Sequence, residues 1–269
     1  MFLRKVFAFV KKEFLVEISY RFAFLLHIFG TFTWILTFYF IDRLFGSKIT
    51  PHLRPYGVNY FSYVLLSIAF FSYVGTGMGS FAARIRNEQL MGTLEALLAT
   101  PTKISTIIIS MGFWSLIWAS ISVLIYLIFG AFLFGVDLTH TNLLSVLVVL
   151  LLTVTSFGGL GLLAATFIMI LKRGQPVTWA VNTLFELLGG VFFPIAVFPG
   201  WLRIIARFIP VTYSIKAMQL AVHKGYSLRT LRLEISALLI FSAILFPSGL
   251  LFFKWAVKRA KMNGSLAHY

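Results

Sequence analysis

Two long runs without Asp, Glu, Lys or Arg constrain this chain more than any other feature. The runs cover 104–136 and 138–171, and only Asp137 separates them. As α-helices, with a rise of 1.5 Å per residue, each would reach about 50 Å, which exceeds the roughly 30 Å hydrocarbon core of a bilayer. The runs therefore predict membrane-spanning helices that tilt or extend beyond the lipid.

The composition excludes a soluble globular domain. Hydrophobic residues make up 59% and charged residues 12% of the 269 positions, whereas soluble domains average about 45–50% and about 25%. The charges also lie in clusters between the apolar runs. We therefore expect an all-α membrane protein with a single domain over 1–269, since no linker or internal repeat divides the chain.

Six apolar stretches are long enough to cross the membrane. They are 22–41, 58–83, 104–134, 143–171, 177–196 and 235–253. Segment 1–21 has one apolar and one basic stripe, which is typical of an amphipathic helix at the membrane surface. Segment 197–230 contains Arg203, Arg207, Lys216 and prolines, so we expect broken re-entrant or interfacial helices there, on the outer side.

The distribution of basic residues predicts the orientation. The formal net charge is +15, but the basic residues flank apolar runs, so we expect contact with membrane lipid and not with nucleic acid. If the amino terminus lies inside, the inner segments hold 14 of the 23 Lys and Arg, and most of the others lie after position 196. We therefore expect a multi-pass protein of the inner (plasma) membrane with both termini cytoplasmic.

Metal and disulfide chemistry find no support in the sequence. The chain has no cysteine, which excludes a disulfide framework and thiolate ligands. Its five histidines are scattered without metal-ligand spacing, and no catalytic motif of a protease or lipase occurs. We expect neither a metal site nor catalytic residues.

One short stretch in the interior of the chain is acidic. Residues 86–101 read RNEQLMGTLEALLATP, and at 100° per residue Glu88, Gly92 and Glu95 share one face while leucines occupy the other. Pro101 ends the helix. Such a helix can lie passively at the membrane interface, but its carboxylates favour docking to another protein.

This stretch closely resembles the cytoplasmic motif of type-2 ATP-binding-cassette (ABC) permeases. The matching residues are Glu88, Gly92, Thr93, Leu94, Glu95, Leu97, Leu98, Thr100 and Pro101. The order of elements is also similar, because that family has an amino-terminal amphipathic helix, six spans and a broken helical segment before the last span.

The resemblance implies a permease subunit of an ATP-driven exporter. In that family two permeases pair with two copies of a separate ABC ATPase subunit, and we expect a homodimer here, with a heterodimer left open. Residues 86–101 would form the coupling helix in a groove of the ATPase. The residues expected to couple are Glu88, Gly92, Thr93, Leu94, Glu95, Leu98 and Pro101.

The chain lacks the phosphate-binding loop that such an exporter requires. No G-x-x-x-x-G-K-[ST] pattern occurs in the sequence. We therefore expect ATP and Mg on the partner ATPase, no cofactor in this chain, and no enzymatic activity of its own.

Glu186 is the one acidic residue within a predicted span. A charge at mid-membrane costs on the order of 2.5–3.5 kcal/mol on insertion scales, so the carboxylate should face an interior or a cavity. It either attracts a cationic cargo or a proton, or packs in a protonated form beside Asn182. The resemblance implies that spans two and five line the path, so the candidate path residues are Glu186, Asn182 and Tyr73.

Glycines in spans two and four favour close helix packing, with a kink of the helix as the alternative. Gly75 and Gly79 form a G-x-x-x-G pattern, and 158–161 contain three further glycines. Small residues at such spacing let two helix backbones approach each other in a membrane.

Two other classes of function remain open. An ATP-independent secondary transporter or channel normally carries several ionisable residues within its spans, and only Glu186 qualifies here. A membrane scaffold without transport is the second alternative. For the cargo, the aromatic-rich spans and Glu186 favour an amphipathic or cationic molecule.

Overall fold

The computed structural model describes residues 7–8, 10–12, 14–15, 19, 21–90, 104–171 and 175–262, and their regular structure is entirely helical. In chain order the α-helices are α1 (Arg21–Ile49), α2 (Tyr60–Leu90), α3 (Ile104–Ile128), α4 (Leu143–Leu171), α5 (Gln175–Leu188), α6 (Gly200–Arg207), α7 (Pro210–His223) and α8 (Arg232–Met262). Within the described residues, five helices (α1, α2, α3 with the π-helical turn that follows it, α4 and α8) are long and apolar enough to cross a membrane. These helices confirm the predicted class of all-α, multi-pass membrane protein.

Two predicted spans end at different places in the structure. The first, predicted over 22–41, continues through Asp42 and Arg43 to Ile49, because charged residues are compatible with a helix and the first proline follows only at Pro51. The fifth, predicted over 177–196, is helical only as far as Leu188. The glycines that follow end it, and Gly190 has a φ of +86°, which favours glycine.

The helix of the predicted fifth span is therefore short. Its 14 residues reach about 21 Å, less than the hydrocarbon thickness of roughly 30 Å. The count of six spans remains a prediction that requires the chain after Leu188 to complete the crossing.

Only part of the predicted interfacial segment 1–21 belongs to the described residues, and those residues are helical. The ring of Phe14 meets that of Trp114 edge-on, with the ring centroids 6.2 Å apart. The segment thus reaches α3, while its position at the membrane surface remains a prediction.

Helix α4 lies at the centre of the bundle. It packs along α8 and α2 and also contacts α7, while α3 packs mainly on α2. The starts of α2 and α4 lie beside the end of α7, since the Asn142 N–H donates to the Ala221 carbonyl and Gln219 Nε2 donates to the Tyr63 carbonyl. We call this the upper end of the bundle, and the end that holds Leu90 and Leu171 the lower end.

Glycines of α4 set its distance from two neighbouring helices. A Cβ at Gly159 would overlap the carbonyl group of Leu245 in α8, and a Cβ at Gly161 would overlap the carbonyl oxygen of Gly77 in α2. The packing predicted for 158–161 is confirmed. The glycines of α2 differ, because at Gly79 no described atom lies within 4 Å of the position that a Cβ would occupy.

The region predicted as re-entrant or interfacial contains two helices of opposite character. Of the 14 residues of α7, ten are buried, so α7 packs inside the bundle and not on a membrane surface. Its exposed Lys216 pairs with Glu234 of α8 at 2.8 Å. By contrast, α6 exposes apolar side chains such as Trp201 and Ile204.

The close approach of α4 and α8 yields a stability prediction. Gly159→Ala should destabilise the folded protein by about 1–3 kcal/mol, because the added methyl group meets backbone and cannot be accommodated by a rotamer change. The free energy of unfolding in mixed micelles with increasing SDS measures the effect. Gly30→Ala is the matched control, since nothing described lies within 4 Å of its Cβ position; equal losses in both variants would contradict the packing role.

Candidate functional site

The predicted coupling helix lies mostly outside the described residues. Its first part, 86–90, forms the last turns of α2, since neither Gly nor Pro interrupts the sequence between Gly79 and Gly92. Glu88 is part of this turn. Outside the described residues lie Gly92, Thr93, Leu94, Glu95, Leu98 and Pro101.

A cleft of about 230 Å³ opens between the lower half of α2 and the start of α5. It is lined by Gly75, Met78, Gly79, Ala83, Ile168, Thr178, Trp179 and Asn182. Gly75 and Gly79, for which we predicted close helix packing, thus face the cleft, and it is Gly77 between them that packs on Phe157. Successive helical positions differ by 100°, so Gly77 points away from the other two.

Asn182 is a polar side chain that α5 presents to α2, beside Thr178 in the same cleft. A Cβ on Gly75 would lie 3.7 Å from its Nδ2 and 3.9 Å from its Oδ1. The Oδ1 atom is buried and has no hydrogen-bond partner among the described residues. A buried acceptor without a partner is rare in proteins and indicates a place where a donor is missing.

Glu186 lies one helical turn above Asn182 and is half-buried. No hydrogen bond joins the two side chains among the described residues, so the structure does not support their predicted pairing. Glu186 is instead within electrostatic reach of Tyr126 on α3. Its carboxylate is thus half shielded, at the boundary between the buried and the exposed side of α5.

Tyr73, the third candidate path residue, is not brought to the cleft. Its side chain is buried, and its hydroxyl donates a hydrogen bond of 2.9 Å to Ser120 on α3. The structure thus brings Asn182 together with Gly75 and places Tyr73 in the contact between α2 and α3. Hydropathy alone does not distinguish the face of α2 that packs on α3 from the face that lines the cleft, because the membrane-spanning part of α2 is apolar nearly all round.

Comparison with known protein families now decides the identity of this bundle. A family model described as ABC-2 type transporter matches residues 4–222. The chain belongs to this family. A comparison with curated proteins finds no significant match.

Membership in the ABC-2 family confirms the resemblance seen in the sequence. The chain is a membrane permease subunit of an ABC transporter, a transport component that is not itself catalytic and works with an ABC ATPase subunit. The matched residues include α1 to α6, all of α7 except His223, and the acidic stretch 86–101. The family assignment thereby favours ATP-driven transport over an ATP-independent carrier or a scaffold.

A buried polar network in this ABC-2 permease escaped the sequence analysis. The Tyr63 hydroxyl donates to the Gly190 carbonyl at 2.6 Å, and Gln219 Nε2 donates to the Tyr63 carbonyl at 2.7 Å and to the Ser67 hydroxyl at 2.8 Å. Gln219 is fully buried. The network ties α7 and the break after α5 to α2. A glutamine within the apolar sequence of α7 was the available signal.

A second polar cluster lies at the upper end, outside the spans. The Thr139 hydroxyl and backbone N–H donate to Asp137 Oδ1 at 2.6 Å and 2.8 Å, and these bonds lower the pKa of Asp137. Burial lowers the pKa of His223 from 6.5 to about 4, against the opposing effect of backbone hydrogen bonds with Asp137 and Ser62. The folded protein therefore favours neutral His223.

This depressed pKa predicts a loss of stability in mild acid. The unfolded chain takes up a proton on His223 near pH 6.5 and the folded chain only near pH 4, so stability falls as the pH drops through this window. The full loss is on the order of 3 kcal/mol. Unfolding midpoints measured from pH 7.5 to pH 4 should show it.

Two variants separate His223 from the other groups that titrate in this range. His223→Gln should flatten the dependence on pH, whereas His140→Gln, at an exposed site, should retain it. An unchanged slope in His223→Gln would contradict the assignment.

Proposed function

We propose that this chain is the permease subunit of an ATP-driven exporter. Two copies form the translocation path, and each docks an ABC ATPase through residues 86–101. The observation that carries the proposal is the family match over 4–222, which includes the acidic motif together with most of the membrane bundle.

The continuity of α2 supports a mechanical role for this motif. The helix runs without a break from Tyr60 to Leu90, and its 31 residues reach about 46 Å. It therefore extends from the upper end of the bundle through the membrane and into the motif. A displacement at 86–90 would be transmitted along the helix, because α2 continues without a break past its glycines at 75, 77 and 79.

Closure of the partner ATPase on ATP and Mg would supply the displacement. Glu88, Gly92 and Glu95 offer carboxylates separated by a small residue, which suits close docking in a groove. The helices of the permease would then switch between two packed arrangements, as in other rigid-body transitions. In the predicted orientation the motif and both termini are cytoplasmic, in the plasma membrane, and the cargo moves outward.

The upper end would form the outer side of the path. Here α6 and α7 form a helical hairpin before α8, and we propose that it enters the outer leaflet from outside. Supporting this, Ser214 near the start of α7 lies 2.9 Å from Thr153, ten residues into α4, while the end of α7 lies beside the start of α4. Residues 189–197 would complete the fifth crossing above α5.

The cleft between α2 and α5 is the proposed place of cargo contact. The cleft is lined by α2, the helix that also contains the first residues of the motif. Asn182 lines it from α5, and the half-buried Glu186 lies one turn above Asn182. Tyr73 lies outside the cleft and would contribute by holding α2 to α3 through its hydrogen bond to Ser120. A cleft on α2 is suited to coupling, since movement of α2 changes its width.

Charge reversal in the motif tests the docking. Glu95→Lys should abolish the stimulation of ATP hydrolysis in the complex of permease and ATPase in liposomes, because a lysine replaces a carboxylate at the docking face. Membrane insertion of the variant should be unchanged. Gln89→Lys, which introduces the same side chain about a third of a turn away from the acidic face, is the matched control.

Co-purification provides the second readout. The ATPase should co-purify with the wild type and with Gln89→Lys and should be lost when 88–98 is scrambled. Undiminished coupled ATPase activity in Glu95→Lys, or retention of the ATPase by the scrambled chain, would refute docking through this motif.

A further inference from the structure

Three side chains of α5 form a stripe along the cleft and above it. Trp179, Asn182 and Glu186 follow one another at spacings of three and four residues, so they lie on one face of the helix. From first to last the stripe is on the order of 10 Å long. It presents an aromatic ring, an amide and a carboxylate in this order.

The middle of the stripe needs a hydrogen-bond donor. Asn182 Oδ1 is buried and unpartnered among the described residues, while the neighbouring position on α2 is Gly75, which carries no side chain to provide one. Buried acceptors are normally satisfied. A donor on a bound molecule would satisfy this one.

The upper part of the stripe needs a positive charge. Glu186 is half-buried in a predicted span, where carboxylates usually pair or mark a substrate path. The ion pair that Lys216 forms with Glu234 lies on other helices. A cation at the upper edge of the cleft would therefore lie near a carboxylate that has no basic partner among the described residues.

The lower part of the stripe offers space and an aromatic surface. Trp179 is 72% exposed although it lines the cleft, and Gly79 opposite has nothing within 4 Å of its Cβ position in the described part of the chain. A flat apolar body can thus lie against the indole ring. Indole rings also attract cations through their π-face.

From these observations we infer that the stripe Trp179–Asn182–Glu186 binds amphipathic cations. The apolar body lies against Trp179, an N–H group donates to Asn182 Oδ1, and the positive charge lies beside Glu186. The inference rests on the proposed transport function and names its substrate class: flat, apolar cations about 10 Å long that carry N–H donors.

Ethidium is a suitable probe because it is a flat cation with two amino groups. The full-length, nuclease-treated protein in phosphatidylcholine nanodiscs should bind it, as measured by fluorescence anisotropy. Glu186→Gln and Asn182→Leu should each raise the Kd about tenfold, which corresponds to the loss of one strong polar contact. Thr183→Val is the matched control, at an exposed position of α5 outside the stripe, and should leave the Kd unchanged.

Two ions of the same shape test the sign of the charge. Tetraphenylphosphonium carries the charge and an aromatic surface but no N–H donor, so it should displace ethidium at a higher concentration than an ethidium competitor needs, and tetraphenylborate should not displace it. Equal displacement by both ions, or Kd values within about twofold of wild type for Glu186→Gln and Asn182→Leu, would overturn the inference. Glu186→Gln preserves size, and elution as a single symmetric peak confirms that it is folded.

The lipid ammonium group of phosphatidylethanolamine shares this chemistry. Nanodiscs that contain it should weaken ethidium binding if the headgroup occupies the stripe, and should leave the Kd unchanged if only soluble cations enter. Either result supports the cation site and identifies the source of the ligand. Co-purification of the ATPase without ethidium binding would refute this inference alone, whereas binding without an ATPase partner would refute the proposed exporter.

Discussion

Backbone amide and carbonyl groups at membrane depth must find partners within the protein, because lipid provides none. This requirement explains why the described part of the chain is helical and what happens where it leaves the helix. At the break after Leu188, the carbonyl of Gly190 accepts a hydrogen bond from the buried Tyr63 hydroxyl. Gln219 then holds α7 to the same part of α2. The irregular segment is thereby tied to the bundle through polar contacts.

Helix α2 combines tight packing and open space within five residues. Gly77 faces α4, where a side chain would meet Phe157, while Gly75 and Gly79 face the cleft beside α5. Alternate positions on a helix lie about 200° apart. Gly77 therefore allows close packing on α4, while Gly75 and Gly79 leave the cleft open. The same helix continues to Leu90 and into the acidic motif. One rigid element thus connects the proposed docking site with the proposed cargo site.

Much of the architecture could be predicted from the sequence, and the errors have identifiable physical causes. The prediction of 143–171 matches α4, because Asn142 accepts from the Ser145 N–H and caps the helix start. The end of α5 was missed, since the apolar run continues to 197 although Gly189 and Gly190 already end the helix. The interfacial alternative for the region after 196 was wrong for α7, because its buried face becomes visible only once α2, α4 and α8 surround it.

The sequence by itself determined the class of the molecule, since long uncharged runs are stable only as helices in lipid and the motif in 86–101 is specific to a family. Only the tertiary structure decided which face of each helix packs against its neighbours and which face lines the cleft. Helices that are apolar all round have no periodic signal, so Tyr73 and Gly75, two residues apart, were indistinguishable in the sequence. Packing against α3 buries Tyr73, whereas the space beside α5 leaves Gly75 opposite Asn182. In a membrane, the neighbouring helices and not hydropathy determine which residues are interior.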